Sequence, residues 1–191
     1  MKSITKTYNN SIIIKNSEFI CYLYPIDSSD IKSYLEDIKK IHNKATHYCY
    51  AYIYDEIKHS SDDGEPGGTA GMPILNVLEK EDLNHVLCIV IRYFGGIKLG
   101  AGGLVRAYTK SVTETLKISS FVELIRGYKI SLQFNYDEEK NILYILNNYK
   151  IINKDYMENV KYICLVDDTI LDKLNNYNPI ILDKLYIEKL N

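Results

Sequence analysis

Nine of the chain's ten glycines fall between Gly64 and Gly103, and no other feature of its 191 residues constrains the fold so tightly. Glycine is used where the backbone must take a positive φ or come close to another group. Its concentration in a chain otherwise rich in Ile, Lys, Asn and Tyr marks two specialised segments. The first reads S-D-D-G-E-P-G-G-T-A-G-M-P-I-L (61–75) and the second Y-F-G-G-I-K-L-G-A-G-G-L-V-R-A-Y (93–108). Function is to be sought there.

Around these segments the patterning predicts a mixed α+β chain. Residues 12–15 and 19–25 read as a hairpin of two strands. Ile31, Tyr34, Leu35, Ile38 and Ile41 give a helical period, with a cap expected from Asp27, Ser28 or Ser29. Residues 47–55 read as an aromatic strand and 56–68 as a polar loop. A helix is expected over 69–79, with Pro73 near its start. The nearly continuous apolar run 86–94 predicts a strand buried on both faces. A loop over 95–103 and a helix over 104–117 follow. At about 100° per residue, Leu104, Val105, Tyr108, Val112 and Leu116 share one side of that helix. Arg106, Lys110 and Lys117 share the other.

After residue 122 the character changes, and a boundary is placed there, giving domains 1–122 and 123–191. Strands over 128–136, 149–153, 160–166 and 180–190 alternate with helices after Asp137 and over 169–177. That order, β-α-β-β-α-β, is the ferredoxin-like arrangement.

Composition excludes several classes. No apolar run approaches the roughly 20 residues of a membrane-spanning helix, and the polar first ten residues lack a signal-peptide core, so the cytosol is the expected location. The four cysteines are scattered with no C-x-x-C pair, which argues against a zinc ribbon and for buried thiols. Net charge is −2, so global charge gives no nucleic-acid signal. Locally the balance differs: from Arg92 to Lys117 there are five cations and one acid, Glu114.

Several constellations could carry chemistry. Asp62, Asp63 and Glu65 form an acidic turn that could hold a hard cation or face solvent. His47 and Cys49, at i and i+2 on a strand, point to one side and could form a nucleophilic pair or part of a zinc site, although a full ligand set is missing and no metal is expected. The second glycine segment opens a helix, where free N–H groups and the helix dipole favour anions, with Arg92, Lys98 and Arg106 nearby. It is neither a Walker loop, since Ala101 stands where Lys is needed, nor G-x-G-x-x-G, since Val105 takes the last glycine position. Arg92-Tyr93-Phe94 could stack on bases, though alternation puts at least one aromatic in the core.

Residues 61–75 and 90–108, with His47-Tyr48-Cys49, resemble the YigZ/IMPACT family. The resemblance is strong over about residues 10–117. It implies an N-terminal domain similar to the second domain of ribosomal protein S-five and a C-terminal domain similar to the fifth domain of elongation factor G. The chain begins directly with the shared domain and so resembles the bacterial branch. The implied partners are RNA, the ribosome or a translation factor, with a role in regulating translation and no cofactor. An anion or nucleic-acid site is expected at Arg92, Lys98, Gly100, Gly102, Gly103, Arg106 and Lys110, and the family motif comprises His47, Cys49, Asp62, Asp63, Glu65 and Thr69. The alternative is a metal-assisted phosphoryl-transfer or hydrolytic enzyme built on the acidic and glycine loops.

Overall fold

The computed structural model describes residues 1–189, so the last residue of the expected strand 180–190, Leu190, lies outside the described residues. The chain is mixed α+β and divides into two compact units, Met1–Val122 and Glu123–Asn191.

The first unit opens with a short strand β1 (Lys2–Ile4), which sequence patterning missed. It is followed by β2 (Tyr8–Ile14), β3 (Ser17–Pro25), α1 (Lys32–Ile41), β4 (His47–Tyr54), β5 (Ile57–Ser61), α2 (Gly71–Lys80), β6 (Val86–Tyr93) and α3 (Ala101–Lys117). Its five-stranded sheet runs β2-β3-β6-β4-β5, with every neighbouring pair antiparallel. Strand β6 sits at the centre and is buried on both faces, as its unbroken apolar run demands. Val86, Cys88 and Val90 join Phe19, Cys21, Leu23, Cys49, Ala51 and Ile53 against α2 and α3. Leu87, Ile89 and Ile91 face the other way, toward Ile31 and Ile38 beside α1. Each such buried aliphatic side chain contributes roughly 1.5–3 kcal/mol. The α1 side is half-buried and rich in tyrosine, because β4 alternates Tyr48, Tyr50, Tyr52 and Tyr54 with Cys49, Ala51 and Ile53.

Several local expectations are corrected. The polar loop 56–68 is shorter, because β5 pairs with β4 across Asp55, whose φ of 50° makes the tight turn. Helix α3 begins at Ala101 rather than Leu104: Gly100, at φ 71°, is its N-cap, and Gly102 and Gly103 are helical. Val105 is exposed, because the buried stripe runs through Leu104, Ala107, Tyr108, Ser111, Val112, Thr115 and Leu116. No side chain caps α1 at Ile31.

The unit boundary falls just inside β7 (Phe121–Phe134), and the second unit continues with α4 (Glu139–Ile145), β8 (Ile151–Tyr156), β9 (Val160–Val166), α5 (Asp168–Lys173) and β10 (Ile180–Glu188). Its strands lie β10-β7-β9-β8, all antiparallel, over a core including Ile130, Leu132, Ile142, Tyr162 and Ile170. Asn135 and Glu138, rather than Asp137, form the capping box that precedes α4.

Candidate functional site

The alternation along β6 puts Arg92 on the same face as Val86, Cys88 and Val90, so a cation enters the core at the strand's end. Its solution is Glu65. Arg92 Nη1 donates to Glu65 Oε1 at 2.6 Å, and both side chains are almost wholly buried. The Tyr108 hydroxyl donates to the same oxygen at 2.8 Å. The guanidinium carbon lies 5.5 Å from the Phe19 ring centroid and 5.4 Å from that of Phe94, so the cation is held between two aromatic faces. A glutamate from the first glycine segment thus ties together β6 and α3, which carry the second.

The rest of the acidic turn is fixed from within. The Asp62 carboxylate accepts from the N–H groups of Gly68 (2.8 Å), Ala70 (2.9 Å) and Gly71 (2.8 Å), anchoring the start of α2. Burial pushes its carboxyl up, but those three backbone bonds outweigh it and hold the group below its ordinary value. Asp63 accepts from the Tyr48 N–H at 2.7 Å, and its carbonyl lies 2.8 Å from His47 Nδ1. The Thr69 hydroxyl donates to the Pro66 carbonyl at 2.6 Å, closing the turn. The Asp62 and Glu65 carboxylates are therefore committed to internal donors. Among the described residues no three His, Cys, Asp or Glu side chains converge as metal ligands.

His47 and Cys49 do face the acidic turn together, yet they do not pair with each other. With His47 Nδ1 donating to the Asp63 carbonyl, Nε2 lies 3.9 Å from Glu65 Oε2. The Cys49 sulfur sits 2.9 Å from the Asp62 carbonyl and 3.3 Å from Tyr108 Oη. Burial pushes the Cys49 thiol up to about 12, which leaves almost no thiolate near neutral pH. Burial likewise raises the Tyr108 hydroxyl.

The structure therefore sorts the expected site residues into two groups. His47, Cys49, Asp62, Asp63, Glu65, Thr69 and Arg92 form a closed polar cluster, and Arg92 belongs there rather than with the surface cations. Lys98, Gly100, Gly102, Gly103 and Arg106 lie at or beside the first turns of α3, and Lys110 lies one turn beyond Arg106, past the middle of the helix. Lys98, Arg106 and Lys110 are exposed; Lys98 and Arg106 enter no ion pair among the described residues, while Lys110 attracts the Glu114 carboxylate one turn on. Lys117 is held by Glu114 at 2.8 Å. Arg106 Nη1 comes within 3.5 Å of where a Cβ on Gly102 would stand, so the guanidinium folds back over the helix's first turn. That turn has no capping side chain. Sequence reasoning missed Tyr108 and Ser17 as members of the cluster. A tyrosine inside an apolar helical stripe needs a partner for its hydroxyl, which was the available signal for Tyr108; Ser17 gave none.

A two-unit α+β chain whose glycine segments are locked by a buried Glu–Arg pair defines the class, and the comparisons with known proteins agree on its family. Residues 15–116 match the model of the Impact N-terminal domain. The chain is 46% identical over 125 residues to the IMPACT family member YvyE of Bacillus subtilis (strain 168), spanning 63% of this chain and 58% of that relative. It is 32% identical over 171 residues to an IMPACT family member of Haemophilus influenzae, covering 85% of this chain and 83% of the other. A crystal structure of a hypothetical protein superposes with a TM-score of 0.72 at 29% identity, covering 99% of this chain and 98% of that one. The chain belongs to the IMPACT family. Among the described residues no helix is long and apolar enough to cross a membrane.

Proposed function

We propose that the Met1–Val122 unit is a phosphate-binding module that engages RNA, in the service of translational regulation, through the start of α3 and the cations Lys98, Arg106 and Lys110. One observation carries this reading. Arg106 folds its guanidinium over Gly102, at the positive end of the helix dipole. A cation there is electrostatically unfavourable by itself. An anion shared between the guanidinium and the uncapped N–H groups of Ala101, Gly102 and Gly103 turns that conflict into two attractive contacts.

Support also comes from the second unit. Its strand order, the fourth beside the first, then the third and the second, fits a ferredoxin-like domain similar to the fifth domain of elongation factor G. The first unit, by resemblance, is like the second domain of ribosomal protein S-five. Both relatives work on the ribosome. The enzymatic alternative has less behind it, since Asp62 and Glu65 spend their oxygens on internal donors and the Cys49 thiol stays protonated. The test is charge reversal. Arg106→Glu with Lys110→Glu should abolish retention of a single-stranded RNA in a filter assay, and unchanged retention would sink the proposal.

A further inference from the structure

We infer that Phe94 is a stacking platform for an unpaired nucleobase, so that the ligand of the phosphate site is a single-stranded nucleic acid; this rests on the phosphate-binding reading above. Phe94 is 47% exposed, yet it is not a loose surface residue. One side of its ring is backed by the Arg92 guanidinium at 5.4 Å, and Arg92 is backed in turn by the fully buried Phe19 ring at 5.5 Å. Glu65 pins that guanidinium from the edge.

The backbone beneath Phe94 is fixed as well. The Phe94 N–H donates to Thr46 Oγ1 at 3.1 Å, and the Gly95 N–H donates to Ser17 Oγ at 3.1 Å. A Cβ at Gly95 would stand 2.0 Å from the Asn16 backbone, so this glycine is pressed against the β2–β3 turn. An apolar ring is thus presented to solvent on a rigid mount. It loses little conformational freedom when something flat covers it.

Its place in the chain points to what that flat group is. Lys98 lies four residues on, its Cα within about 14 Å of that of Phe94 at the chain's full reach. The exposed start of α3 follows. Aromatic platforms beside cations that follow a phosphate backbone are the working parts of single-strand recognition, because every base has a face to stack. A duplex keeps its bases stacked on one another and offers Phe94 none.

The test uses the full chain and a feature of its composition: it contains no tryptophan. Phe94→Trp introduces the chain's one tryptophan at the platform, and red-edge excitation separates its emission from that of the 18 tyrosines. Titration with a short oligo(A) RNA should quench that emission, and inorganic polyphosphate should bind without quenching it. Phe94→Ala should bind polyphosphate like the parent chain but oligo(A) about tenfold more weakly. A duplex RNA of equal length should bind the parent more weakly than the single strand. Unquenched emission at saturating oligo(A), unaltered affinity in Phe94→Ala, or equal affinity for the duplex overturns the stacking inference. If polyphosphate still binds in that case, the phosphate site stands without it. If neither polyphosphate nor RNA binds the parent chain, the phosphate site itself is refuted and the platform falls with it.

Discussion

Replacing Glu65 by leucine should be among the most damaging single substitutions in the Met1–Val122 unit. The pair it breaks is 2.6 Å long, with side chains 6% and 3% exposed. At an effective dielectric of about 20, the Coulomb attraction at that distance is roughly 6 kcal/mol, much of it offset by desolvation of both groups. Removing one partner leaves the other charge buried without compensation, which costs about 3–5 kcal/mol. Arg92 has little to fall back on. Its Nε already lacks a partner, and its contact with Ser17 Oγ is a long 3.5 Å. The Tyr108 hydroxyl would lose its acceptor too. Since a domain's whole stability is about 5–15 kcal/mol, roughly a fifth or more of it would go. Arg92→Leu should cost a similar amount by stranding Glu65. The double variant Glu65→Leu/Arg92→Leu should cost far less than the sum, with a coupling of about 3 kcal/mol, because an apolar pair can fill the space between Phe19 and Phe94. The assay is hydrogen exchange of peptides from Val86–Tyr93 across a urea series, which reports opening of this unit's central strand. Additive losses, or a Glu65→Leu loss below about 1 kcal/mol, would refute the idea that this pair locks the two glycine segments.

Three further outcomes are expected. Gly95→Ala should destabilise the first unit by on the order of 3 kcal/mol, because the new methyl meets backbone rather than a movable side chain; a Tm within a degree or two of the parent would contradict that contact. Asp62 should contribute to the acid limb of stability. Its folded value lies below the ordinary one, so its stabilisation is complete above the unfolded value of about 3.9 and is lost as pH falls through the folded value. Asp62→Asn should therefore flatten the stability profile below about pH 4, and an unchanged profile would show that the three backbone bonds do not form in solution. Finally, all four cysteines are buried. A thiol reagent near neutral pH should find no fast-reacting site in the native chain and four after unfolding, while a rapid first equivalent at Cys49 would revive the nucleophile reading.

Much of the architecture was legible in the sequence because it rests on periodicity. The apolar run of β6, the alternation on β4 and the helical stripe of α3 each announce what they bury. The errors cluster where distant residues decide the outcome. The start of α2 is anchored by Asp62, eight residues before Ala70, so no local capping signal could mark it. The strand β5 carries Lys58 and His59 on an exposed edge, and its polar composition hides a pairing that the Asp55 turn imposes. Gly102 and Gly103 discourage a helix assignment, yet the helix holds Gly103 so close to Leu99 that a Cβ would stand 2.9 Å from that side chain. At the site, the acids and cations were visible as residue types, but their partners were not. Arg92 looked like a surface cation, and only its position in the β6 alternation, read together with Glu65 from another loop, puts it in the core.

The salt dependence of RNA binding reaches the proposed function most directly. Lys98, Arg106 and Lys110 are the exposed cations of the proposed site, and each phosphate neutralised on a single strand contributes about −0.7 to the slope of log affinity against log salt. The parent chain should show a slope of about −2, and Arg106→Glu/Lys110→Glu should bring it close to zero along with the affinity. A flat profile in the parent, or the same slope in the variant, would show that the start of α3 does not bind phosphate.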